Sequence, residues 1–114
     1  MNLKHIYKII DNEEFKKVKS SGSYFGSPKD LEDGFIHFSA QEQVESTLKK
    51  YYYNKKNLIL LKVETLKLDH LVWEQASDGN FFPHLYSSLD LTNVVEEFII
   101  TLNSDGSQKL PNNF

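Results

Sequence analysis

Cysteine is absent from this 114-residue chain, which excludes disulfides and thiolate-held metals. Arginine is absent too: all 13 basic residues are lysines. The planar fork that grips a phosphate or carboxylate through paired hydrogen bonds is therefore missing. An anionic ligand must be held by lysine, backbone N–H groups or hydroxyls. Long apolar runs are also lacking. No stretch approaches the ~20 residues needed to span a bilayer, and MNLKHIYKII at the start has no signal-type apolar core. A cytoplasmic protein with no membrane partner is expected. The formal net charge of −3 shows no positive excess, so nucleic acid is not an expected partner.

What is present suffices for one compact domain. At 39% hydrophobic content, a chain of this length buries roughly two-thirds of its unfolded surface. A single domain over residues 1–102 is expected, followed by a polar, frayed tail over 103–114. The β-branched and aromatic run His5–Ile10 predicts a strand. Asp11 and the two glutamates after it predict a helix start, with Phe15 and Val18 as its apolar stripe and Gly22 as its stop. Residues 23–33 read as a loop. An Asp-Gly turn then leads into a strand at 34–38. Ser39 with Glu42 has capping-box spacing for a helix over 40–53. Leu58–Leu61 is apolar on both faces, which predicts a central strand over 57–64. Residues 71–76 predict a strand closed by a turn with Asp78-Gly79, and 81–86, interrupted by Pro83, predicts an edge strand or a strand-like loop. Val94–Leu102 predicts the last strand. The fold class is α+β, with about two main helices and five or six strands.

Strand alternation sorts the polar side chains. Phe35, His37 and Ser39 share one side of the 34–38 segment; Phe82, His84 and Tyr86 share one side of 81–86. Leu71 and Trp73 face away from Val72 and Glu74. Polar groups among such bulky neighbours require partners from protein, water or ligand. His37 is thus the leading candidate, with Ser39, Trp73, Glu74, His84 and Tyr86 beside it. Each also has a plain structural reading: a satisfied core histidine, a core indole, a solvated glutamate. A metal site from His37, His84 and Glu74 has the two-histidine, one-carboxylate composition but no supporting local spacing, and none is expected. Ser39 lacks the glycine pattern of a nucleophile elbow, and no glycine begins a phosphate-binding loop.

The ordered segments IYKI (6–9), GSPKDLEDGFIHFSAQEQVESTL (26–48), NLILLKVETLKL (57–68), VWE (72–74) and FFPHLY (81–86) resemble a family of small bacterial proteins known as a conserved domain of unknown function. The resemblance covers about residues 5–95. It implies an ADP-ribosyltransferase-like fold, a split pair of small packed sheets with a cleft that binds NAD. Ile36–Ser39 with its helix and following strand is also similar to a segment of RNA 2′-phosphotransferases, although their phosphate-binding arginines have no counterpart here. Ribosyltransferases that modify proteins place a glutamate on a late strand. Glu74, Glu96 and Glu97 do not match that motif.

The resemblance implies that His37 lies at the cleft, with Ser39, Trp73, Glu74, His84 and Tyr86 as lining residues. The expected function is binding of NAD, a related nucleotide or a small metabolite, with catalysis left open. The alternative is an ADP-ribosyltransferase-like or NAD-glycohydrolase-like enzyme that cleaves the nicotinamide–ribose bond. In that enzyme His37 would hydrogen-bond ribose hydroxyls or the nicotinamide amide. Tyr86 or Trp73 would stack on a ring, and Glu74 would stand beside developing positive charge. A protein-interaction module is the further alternative.

Overall fold

The computed structural model describes residues 3–114. Strand β1 (His5–Asp11) forms where the β-branched run predicts it. Asp11 then caps helix α1 (Asn12–Lys19), accepting the N–H groups of Glu13 and Glu14 at 2.9 and 3.1 Å. Those bonds satisfy two of the donors that a helix start leaves orphaned.

Residues 23–33, expected as a loop, contain a short strand β2 (Ser23–Tyr24) and a six-residue helix α2 (Pro28–Asp33). The helix has a reciprocal cap. Ser27 Oγ accepts the Asp30 N–H at 3.2 Å, and the Asp30 carboxylate accepts the Ser27 N–H at 2.9 Å. Pro28 occupies the first turn, where its missing N–H is no loss. Gly34 ends the helix in the left-handed region at φ 87°, so the Asp-Gly pair is a helix stop as well as a turn.

Strand β3 is only Ile36–His37, because Ser39 leaves it to pair with β1. The Ser39 N–H and C=O both bond to Tyr7 at 2.8 Å. That junction shifts the predicted helix start by one residue. Ser39 is occupied, and Gln43 Oε1 accepts the Ala40 N–H at 2.9 Å instead. A 3₁₀ turn at 41–43 leads into α3 (Val44–Tyr51), which stops short of residue 53. The remaining strands are β4 (Leu58–Glu64), β5 (Leu71–Gln75), β6 (Phe81–Leu85), β7 (Leu89–Asp90), β8 (Val94–Leu102) and β9 (Gln108–Lys109).

All pairings are antiparallel, in two principal sheets ordered β1-β4-β8-β9 and β3-β6-β5, with a β2-β7 ribbon beside them. β4 is central, as its two apolar faces predict. Leu58 and Leu60 pack with Val44 and Leu48 of α3; Ile59, Leu61 and Val63 pack with Ile6, Ile36, Phe38 and Leu85. The α+β class holds. The described residues contain three α-helices and nine strands, the additional strands being two-residue pieces.

Two expectations need correction. β6 is not an edge but the middle strand of its sheet. The Phe38 N–H donates to the Pro83 carbonyl at 3.0 Å, so the Pro83 nitrogen also points toward β3, just past the end of that short strand. The pair thus keeps one ladder bond and gives up the other, a loss confined to the end of β3. The 103–114 segment, expected to be a frayed tail, pairs β9 with the end of β8 and packs Leu110 and Phe114 into the second core. The Phe114 ring meets Tyr7 edge-on at 5.5 Å. No helix among the described residues is long and apolar enough to cross a membrane.

Candidate functional site

The β3-β6-β5 sheet turns one face to the core and leaves the other open. Ile36, Leu85, Leu71 and Trp73 belong to the core face. Phe35, His37, His84, Tyr86, Val72 and Glu74 share the opposite face through strand alternation. Register places His37 directly across from His84, and their rings lie 5.4 Å apart at 68°. Phe35 stacks on His84 at 4.0 Å and also touches His37 and Tyr86, at 4.6 and 5.2 Å. The two imidazoles therefore meet under one aromatic clamp. Trp73, expected to line the same site, points into the core instead, because it is one residue out of phase with Glu74.

Each imidazole is anchored by carboxylates. His37 Nδ1 lies 2.6 Å from Asp30 Oδ1, and His37 Nε2 lies 3.0 Å from Asp33 Oδ2. Only a doubly protonated ring can donate to both at once. Asp30 is 2% exposed and accepts four donors: His37 Nδ1, the His37 N–H at 3.2 Å, the Ser27 N–H, and Lys8 Nζ at 2.9 Å. Burial by itself would raise the Asp30 carboxyl, but the His37 hydrogen bond and the Lys8 charge hold it well below the usual carboxylate range. Burial pulls the Lys8 ammonium down from its ordinary value, with Asp30 opposing. This is an ion pair kept intact by mutual need, since removing either partner strands the other.

On the neighbouring strands, Glu74 Oε1 accepts from Tyr86 OH at 2.5 Å and lies 2.8 Å from His84 Nδ1. The Tyr86 bond first, and the His84 bond second, lower the Glu74 carboxyl. The same bond to Glu74 raises the Tyr86 phenol.

A cleft of about 1110 Å³ opens beside these residues, lined by His37, His84 and Ser39 together with residues of β1, α2 and α3. Ser39 contributes its hydroxyl, 3.3 Å from Thr47 Oγ1. Lys29, Lys55, Lys56, Tyr51 and Tyr52 form other parts of the wall. Glu74 and Tyr86 are not among the lining residues; they join the cleft through His84. Among the described residues, no set of three or more His, Asp or Glu side chains has metal-binding geometry. The chemistry available is hydrogen bonding, charge pairing and proton transfer at an imidazole fixed by a buried carboxylate.

Residues 9–97 match the family described as a protein of unknown function, DUF952. The chain belongs to that family. It is similar to protein CC0527 from Caulobacter crescentus. The crystal structure of CC0527 is 42% identical and superposes with a TM-score of 0.88, covering 93% of this chain and 94% of that one. The solution NMR structure of CC0527 is 40% identical, with a TM-score of 0.85 over 98% and 97% of the two chains. A comparison with curated proteins found no match.

The family segment contains His37, Ser39, Trp73, Glu74, His84 and Tyr86, and also the two residues that sequence reasoning passed over, Asp30 and Asp33. Lys8 precedes it by one position. A signal for the buried network did exist. Lys8 alternates with Ile6 and Ile10 on one face of β1, and a lysine in such company requires an acidic partner.

Proposed function

We propose that the cleft binds a nucleotide of the NAD class (NAD itself, ADP-ribose or a related metabolite) and does so without turning it over. The observation that carries this is the meeting of His37 and His84, from separate strands, at 5.4 Å on the wall of one cleft. The cleft volume is large enough for a dinucleotide by the standard of small-molecule sites. Ser39 and Thr47 supply hydroxyls for ribose, Tyr51 and Tyr52 supply ring faces, and Lys29, Lys55 and Lys56 supply positive charge in a chain without arginine. Two small antiparallel sheets packed about one core are what an ADP-ribosyltransferase-like architecture would require. A nucleotide ligand also suits a cytoplasmic setting.

One observation favours an enzyme as second reading. The 2.6 Å contact of Asp30 with His37 fixes an imidazole as a general acid or base. In that reading His37 would be catalytic, and Glu74 would be the carboxylate facing the ribosyl centre. Glu74 is instead engaged by His84 and Tyr86 and stands outside the lining, which favours binding alone.

The test is the melting temperature with NAD, ADP-ribose and nicotinamide, for the native protein and for His37→Ala. At 100 times the dissociation constant a ligand adds about 2.7 kcal/mol, which is several degrees for this size of domain. NAD or ADP-ribose should raise the native transition and leave His37→Ala unmoved. Absence of any nucleotide shift would overturn the reading. Release of free nicotinamide from NAD over hours would establish the enzyme in its place.

A further inference from the structure

Asp33 is the one carboxylate at His37 that the packing does not demand. Asp30 is enclosed, and its oxygens are filled by Lys8, Ser27 and His37. Asp33, by contrast, is 29% exposed along its side chain. It is the last residue of α2, where the helix end is itself negative and offers a carboxylate no stabilisation. Its Oδ2 lies 3.0 Å from His37 Nε2, and its Oδ1 lies 3.5 Å from Lys29 Nζ. Asp33, His37 and Lys29 all line the cleft. A carboxylate held with one cationic donor at each oxygen is in the arrangement by which proteins bind a free carboxylate or phosphate.

We infer that His37 and Lys29 form an anion slot filled in the structure by Asp33, and that a carboxylate or phosphate group of the ligand displaces Asp33 from His37 Nε2. The inference rests on the cleft being a ligand site and specifies the ligand's chemistry. The pairing at the slot supports it. Asp33 is the cleft-side partner of both His37 Nε2 and Lys29 Nζ, so an incoming anion takes over a role that Asp33 already fills. A ligand without an acceptor group there would leave both nitrogens without the partner that Asp33 supplies. Part-exposed already, the Asp33 side chain reaches water without uncovering the core.

The experiment follows the histidine ring nitrogens by NMR at constant pH, in the native protein, Asp33→Asn, Lys29→Gln and Glu32→Gln. Glu32 is an exposed neighbour outside the cleft lining, and its loss changes charge equally. Inorganic phosphate and acetate are the probes, and ADP-ribose is titrated separately. Asp33→Asn should bind one of the two probes about tenfold more tightly than the native protein, with the His37 ring signals moving. Lys29→Gln should bind it more weakly, and Glu32→Gln should match the native protein. Preference for phosphate or for acetate identifies which group the ligand carries. The inference is overturned if Asp33→Asn gains no more than Glu32→Gln, or if a probe binds while His37 stays unmoved. ADP-ribose binding equally to native and Asp33→Asn protein, with His37 Nε2 unaffected, sinks the slot and leaves the nucleotide reading standing. Phosphate filling the slot while ADP-ribose binds neither protein does the reverse.

Discussion

Asp30 makes His37 a positioned imidazole and opposes the burial that pulls the Lys8 ammonium down. Asp30→Ala should cost about 3–5 kcal/mol, because it leaves a buried ammonium without its counter-charge. Asp30→Asn should cost less while removing a specific pH dependence. The folded carboxyl titrates below its unfolded value of about 3.9, so its contribution to stability is complete above that value and fades as the pH falls through the folded one. Urea unfolding between about pH 5 and pH 2 should show a shallower acid limb for Asp30→Asn than for the native protein. Identical acid limbs would mean that Asp30 is not held as described. At this scale the sequence was half legible. Alternation placed His37 with Phe35, and His84 with Tyr86, on shared faces. The pairing of His37 with Asp30 was hidden, because a capping-box aspartate gives no outward sign that it is buried.

Among the elements, α2 carries most of the discrepancy between sequence and structure. Ser27-Pro28-Lys29-Asp30 holds a cap, a first-turn proline and a reciprocal acid, all local signals of a helix start. Six residues with Leu31 exposed give no apolar periodicity to confirm them, so the segment reads as loop. β6 misled for the opposite reason: Pro83 is a sound edge signal, overridden because β3 ends beside it. The position of α2 depends on Gly26, which has φ +116°, and a Cβ there would lie 2.7 Å from Asp30 Cβ. Gly34 also has a positive φ, but a Cβ there would meet nothing within 4 Å. Gly26→Ala and Gly34→Ala should therefore share the backbone penalty of about 1 kcal/mol, with Gly26→Ala losing clearly more. Only Gly26→Ala should also disturb the His37 ring signals. Equal losses in urea midpoint would show that α2 is not braced against this glycine.

At the scale of the whole molecule, two cores lie on opposite faces of the β1-β4-β8-β9 sheet. The β3-β6-β5 sheet closes one of them and faces outward with its histidines. The α+β class, the central β4 and the 71–85 hairpin were legible, since periodicity and turn chemistry are local. The return of 103–114 onto Tyr7 and Phe98 was not, because a mostly polar segment with a few aromatic or aliphatic residues announces no partner. The central claim is that two strands bring His37 and His84 into one ligand-binding cleft. The most direct measurement is an ADP-ribose titration read at the rings of all four histidines. The account predicts that the His37 and His84 signals move together with a single dissociation constant while those of His5 and His70 stay in place. Saturable binding with both cleft histidines unmoved, or with either one moving independently of the other, would contradict it.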